Sequence, residues 1–125
     1  MPRETFTSDR IGPPVGPFSQ AVRGGEAIYL SGQVGHDPAT GRLVEGGVAA
    51  QAEQALRNLS AVLEAAGRTL EDVVRVGVYL ADMGDFAAMN EVYARAFDAP
   101  YPARTTIGVA ALPLGAAVEM DCIAR

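Results

Sequence analysis

The sequence predicts an α+β domain in which one sheet carries two helices packed on one of its faces. Two stretches space their apolar residues as helices do, and the remaining apolar stretches are short and alternating or rich in valine. These segments run in the order ββ, α, β, α, ββ. Two helices cannot cover both faces of a sheet of about five or six strands, so one face is left for solvent or for another chain. With 125 residues, 49% of them hydrophobic, a single domain over residues 1–125 is expected, with its own core.

Residues 1–17 are polar and proline-rich, with Gly12-Pro13-Pro14-Val15-Gly16-Pro17 as an irregular lead-in. Phe18 to Val22 and Ala27 to Gln33 then read as a hairpin turning at Gly24-Gly25. Turn residues fill Gly35 to Gly47, leaving room for a short ribbon near Arg42-Leu43-Val44. The clearest helix follows. Val48, Ala52, Ala55, Leu56, Leu59, Val62, Leu63 and Ala66 share one face, with Gln51, Glu53, Gln54, Arg57, Asn58 and Glu64 facing away. Gly67 is its expected stop, and Thr69-Leu70-Glu71-Asp72 has the pattern of a capping box opening a short turn.

Val73 to Ala81 reads as a strand, with Val74, Val76, Val78 and Leu80 facing one way and Arg75, Gly77 and Tyr79 the other. A second helix is expected from an Asp85 N-cap, with Phe86, Met89, Val92, Tyr93, Ala96 and Phe97 as its stripe. Asn90 falls on the same face and must find hydrogen-bond partners there. Two closing strands, joined at Leu112-Pro113-Leu114-Gly115, complete the chain. Their uncovered face is semi-polar with small residues and few charges, which favours a homo-oligomer built through the sheet.

Composition excludes several chemistries. A net charge of −5 argues against nucleic acid as a partner. All ten basic residues are arginine, which removes a lysine Schiff base and a Walker-type phosphate loop. His36 and Cys122 are the only histidine and cysteine, so no metal-binding N/S cluster is expected and no cofactor is implied. His36 reads as a solvated loop residue and Cys122 as a buried, inert thiol. No run of about 18 apolar residues suggests a membrane span. The first residues lack a signal-peptide layout, so a cytoplasmic protein is expected.

Two charges stand out in the apolar closing strands, Arg104 and Glu119. A guanidinium grips a carboxylate as a planar fork, and a carboxylate handles a water or a proton. Read as a simple hairpin, the closing strands would pair Arg104 near Ile123 and Glu119 near Gly108. That offset is about 13 Å along the strand. Both residues can then serve one small substrate only by reaching around it or by coming from different chains. The competing reading is an inter-subunit salt bridge.

At this point the residues resemble a known family, the Rid (reactive intermediate deaminase, YjgF-like) proteins, almost end to end. The matching pieces are Gly16-Pro17-Phe18-Ser19-Gln20-Ala21, Leu30-Ser31-Gly32-Gln33, Gln54-Ala55-Leu56-Arg57-Asn58-Leu59 and Glu64-Ala65-Ala66-Gly67. Asp85-Phe86 with Asn90 and Tyr93, then Pro102-Ala103-Arg104-Thr105, Val109-Ala110, Leu112-Pro113 and Val118-Glu119, complete the match. The resemblance implies a chorismate-mutase-like fold with a single mixed sheet, assembled as a homotrimer with ligand clefts at the subunit boundaries. It also implies cofactor-free hydrolysis of enamine/imine intermediates, of the 2-aminoacrylate/2-iminopropionate type, to 2-keto acids and ammonia. The implied partner is thus a small molecule with a carboxylate.

Position by position, Arg104 matches the family's carboxylate-binding arginine and Glu119 the glutamate at the reacting carbon. Ser31 and Gly32 match the loop lining the cleft, and Asn90 falls in the matching helix pattern. Phe18 stands where many members have a tyrosine, and Thr106 where some have a cysteine. The Asp98–Tyr101 connection is shorter than in the best-known members. The Phe18 and Asp98–Tyr101 departures bear on substrate identity and on turnover. Two further classes remain open: a non-catalytic module binding small carboxylates such as keto acids, and a nuclease-like or holdase role, of which the charge disfavours the nuclease.

Overall fold

Six strands form one mixed sheet in the computed structural model, which describes residues 2–125. They are β1 (Thr5–Phe6), β2 (Ala21–Gly24), β3 (Ala27–Val34), β4 (Val73–Leu80), β5 (Ala103–Gly108) and β6 (Val118–Ala124). The spatial order is β1-β2-β3-β6-β4-β5, antiparallel throughout except for the parallel pair β4–β5. Helices α1 (Gly47–Ala65) and α2 (Phe86–Ala96) pack together over the buried residues of β3, β4 and β6. This is the expected α+β architecture. No helix among the described residues is long and apolar enough to cross a membrane.

The closing strands are not a hairpin. β4 lies between β5 and β6, so the predicted pairings of Arg104 with Ile123 and Glu119 with Gly108 do not form. Burial explains the arrangement. Val118, Met120, Cys122 and Ala124 are all buried, and β6 gains neighbours on both sides by running between β3 and β4. β5 buries none of its residues fully and takes the edge, reached from β4 through the α2 crossover that a parallel pair requires. The connection to β6 includes a single 3-10 turn at Pro113–Gly115.

Four local expectations change as well. Thr5–Phe6, read as irregular, pairs with Val22 and Ala21 as a short edge strand. Val74 is exposed, because a register shift between Val73 and Arg75 turns Val73 inward in its place. Asp85 does not cap α2 with its side chain; Asp82 accepts from the Gly84 N–H and caps the 3-10 turn that leads into the helix. Asn58 does not face solvent. It is 1% exposed, donating to the carbonyls of Val34 and His36 at 3.1 Å each and accepting from Gln54 Nε2 at 3.0 Å.

The Thr69–Asp72 capping box and the buried Cys122 thiol are found as expected. Burial pushes that thiol up to about 12, so it stays protonated and inert.

Because Asn58 ties α1 to the end of β3, its removal strands the buried Val34 carbonyl and the partly buried His36 carbonyl. Asn58→Ala is expected to lose about 1–3 kcal/mol of stability, read by chemical denaturation. An unchanged midpoint would mean that water replaces the amide.

Candidate active site

A cleft of about 670 Å³ opens beside the uncovered face of the sheet, where β3 and β6 meet the lead-in segment. Phe18, Ser31, Gly32 and Glu119 line it, while residues 11–15 and the 113–114 turn form an apolar rim. The lead-in holds its place through Gln20, which is almost fully buried. Its Oε1 accepts from the Ser8 N–H at 2.7 Å and its Nε2 donates to the Gly12 carbonyl at 2.6 Å. Ser31 contributes from the strand side, donating its hydroxyl to the Ser19 carbonyl at 2.6 Å. That bond fixes the backbone next to Phe18, whose ring is 48% exposed at the mouth of the cleft.

Glu119 sits between Val34 of β3 and Tyr79 of β4, half-buried. Alternation along β6 sends its carboxylate away from the helices, opposite to Val118 and Met120. Gly32 leaves the room it occupies: a Cβ there would lie 2.5 Å from Glu119 Oε2. Burial pushes the Glu119 carboxyl above its ordinary range, and the neighbouring Asp121 charge pushes it further the same way. The cleft therefore holds a carboxyl biased toward exchanging protons, beside an apolar rim.

Arg104, Thr106 and Asn90 lie elsewhere. Arg104 and Thr106 alternate along β5 on the helix side of the sheet, and Asn90 is half-buried on α2. The Arg104 guanidinium lies 4.6 Å from the Tyr93 ring centroid and 5.7 Å from that of Phe86, both on or at the start of α2. It forms no ion pair among the described residues, and the buried Thr106 and Tyr93 hydroxyls find no partner. Aromatic faces hold a guanidinium in place without neutralising it. The cluster therefore keeps unfilled hydrogen-bonding capacity around a guanidinium without a counter-charge among the described residues.

The two halves cannot meet within one chain. Arg104 is opposite Val76 and Glu119 opposite Tyr79, three residues apart on β4, and they point to opposite faces. The offset along the strand alone is about 10 Å. An Arg104–Glu119 salt bridge within a chain is therefore excluded.

A family model described as "Endoribonuclease L-PSP" matches residues 7–125. The chain belongs to the RidA/YjgF/L-PSP family. It is similar to the 2-iminobutanoate/2-iminopropanoate deaminase of Mus musculus, 48% identical over 122 residues, covering 98% of this chain and 90% of that protein. Among solved structures it is similar to RidA of the Antarctic bacterium Psychrobacter sp., with a TM-score of 0.93 at 48% identity over 98% of this chain and 99% of that one. E. coli TdcF, solved with bound serine, superposes with a TM-score of 0.91 at 35% identity, covering 97% of each chain.

Phe18, Ser31, Gly32 and Glu119, singled out in the sequence, all line the cleft, whereas the rim at residues 11–15 and 113–114 was not among the expected residues. Proline and glycine in those stretches signalled irregular backbone, with nothing to show which surface it would cover. His36 was expected in solvent. It is half-buried, lines the cleft, and bridges to Leu43, with its carbonyl held by Asn58. The bridge bears out the short ribbon.

Gly32→Ala is expected to displace the Glu119 carboxylate while leaving the fold intact. Circular dichroism should be unchanged, and turnover of a small imine should fall at least tenfold, as about 1.4 kcal/mol of misplacement would give. Wild-type turnover in this variant would place the reacting atoms away from Gly32.

Proposed function

We propose that this chain is an enamine/imine deaminase acting on small 2-imino acids, in cytoplasm, as a homotrimer whose clefts lie between subunits. The observation that carries the reading is the division of the site. One chain presents an acid–base half at Glu119 and an unpaired, stacked guanidinium at Arg104, on opposite faces of its sheet. A second copy brings Arg104, Thr106 and Asn90 to the Glu119 cleft. The mouse deaminase at 48% identity and the serine-bound TdcF support a small amino-acid-derived substrate.

The chemistry needs no covalent nucleophile. Arg104 grips the substrate carboxylate with two N–H donors, with the Thr106 hydroxyl and Asn90 amide beside it. For 2-aminoacrylate, protonated Glu119 gives its proton to C3: the carboxyl O–H breaks, C3–H forms and the nitrogen lone pair closes C2=N to give the iminium. Water then adds to C2 while the Glu119 carboxylate takes its proton. Transfer of that proton to nitrogen lets the carbinolamine collapse: C–N breaks to release ammonia, C=O forms, and the hydroxyl proton returns to the Glu119 carboxylate, leaving the keto acid and a recharged Glu119. Phe18, lacking a hydroxyl, contributes shape and stacking.

The non-catalytic carboxylate-binding module gains its support from Phe18, since no phenol is available there to relay a proton. A nucleic-acid role suits the chain poorly, because a net charge of −5 disfavours a phosphate backbone.

Imines generated in situ, with keto acid followed over time, test the reading. Arg104→Ala is expected to lower kcat/KM about a hundredfold, as losing two charge-assisted hydrogen bonds would. Glu119→Gln is expected to lower kcat about a hundredfold or more. Phe18→Tyr is expected to raise the rate. Absence of acceleration by wild type across several imines, with carboxylates still binding in calorimetry, would establish the binding module instead.

Mixing tests the shared cleft. Random assembly of Arg104→Ala with Glu119→Gln subunits regenerates about one native site in four, so activity should return to about that fraction. No recovery on mixing would confine each site to one chain.

A further inference from the structure

Glu119 has company on the uncovered face. Asp121 follows it two residues along β6, with Gly77 of β4 as its cross-strand partner. Tyr79, the cross-strand partner of Glu119, leans diagonally over Gly77 and donates its hydroxyl to Asp121 Oδ2 at 2.9 Å. A diagonal of this kind is within an aromatic side chain's reach. The slot exists because residue 77 has no side chain. A Cβ there would lie 2.4 Å from Asp121 Oδ1 and 2.7 Å from the Tyr79 hydroxyl oxygen.

We propose that Tyr79 and Asp121 are a positioning pair for the reaction: the phenol anchors an ionised Asp121 beside Glu119, and that fixed charge keeps a proton on Glu119 between turnovers. The inference rests on the role given to Glu119 above and adds what loads it. An enamine substrate requires a proton for C3 at the start of the cycle, so a Glu119 that rests ionised would have nothing to donate.

The surroundings support a single dominant anion. From β4, Arg75 donates to Thr105 Oγ1 at 2.9 Å and its charge acts on Tyr79, pulling that phenol down, while from β3 Glu119 meets the uncharged Gly32 and Val34. Tyr29 of β3 lies farther along, opposite Ile123. His36 lines the cleft, with Nδ1 3.4 Å from Asn58 Nδ2. Burial and the Asp121 charge both push the Glu119 carboxyl upward, and the Tyr79 phenol rises through burial and its bond to Asp121, so it remains a donor at neutral pH.

Carbon-13 NMR titration of the glutamate carboxyls in the full-length protein reads the coupling without any substrate, with Glu119→Gln assigning the resonance. In Asp121→Asn, Glu119 should titrate at lower pH than in wild type, since a repelling charge is gone, and Asp121→Glu should restore the wild-type value. Tyr79→Phe should shift it the same way but less, because an Asp121 carboxylate freed from the phenol swings away from Glu119. The pH–rate profile with 2-aminoacrylate should move in step, the alkaline limb falling at lower pH in Asp121→Asn. An unmoved Glu119 resonance in Asp121→Asn overturns the proposal. If the resonance moves but Glu119→Gln keeps full activity, the coupling stands and the catalytic reading of Glu119 fails, which overturns the pair's role in the reaction.

Discussion

Everything at this site depends on the alternation of one interior strand. β6 runs between β3 and β4 and must bury Val118, Met120, Cys122 and Ala124 under the helices. A pleated strand sends successive side chains to opposite faces. Glu119 and Asp121 therefore have no choice of direction. Four apolar anchors fix the register, and a one-residue slip would drive two carboxylates into the core at prohibitive cost. The core thus aims the Glu119 carboxyl into the cleft, with Gly32 leaving the room it occupies.

The edge strand shows the opposite economy. β5 is paired on one side only, and Arg104 is steadied by aromatic rings without a counter-charge. A half-buried cation with no ion pair among the described residues, beside two buried hydroxyls without partners among them, is a poor arrangement for an isolated chain. It is a good arrangement for receiving a ligand. The same edge position that costs the monomer these contacts leaves the guanidinium's hydrogen-bonding capacity unfilled.

Much of this was legible in the sequence. Helical spacing gave both helices, a valine-rich stretch located β4, and alternating apolar residues located β6. Charges in apolar strands picked out Arg104 and Glu119. What failed was long-range. Adjacent strands with a short connection read as a hairpin, but pairing is decided by which strand most needs burial on both sides, and only the assembled sheet settles that. Asn58 was misread for a related reason: its side chain looks polar and outward until the carbonyls of Val34 and His36 arrive from distant chain. Gln20 gave no local signal either, since its partners Ser8 and Gly12 lie in a stretch without periodicity.

The burial of Cys122 also bears on how the protein withstands a reactive substrate. Imine carbons are electrophiles, and thiolates are the side chains most prone to attack them. The one thiol in this chain is sealed beneath the helices at 4% exposure and stays protonated at any physiological pH. With no lysine amine elsewhere in the sequence, the protein offers its own substrate almost nothing to alkylate. A scavenger of reactive intermediates built this way can meet them repeatedly without being consumed.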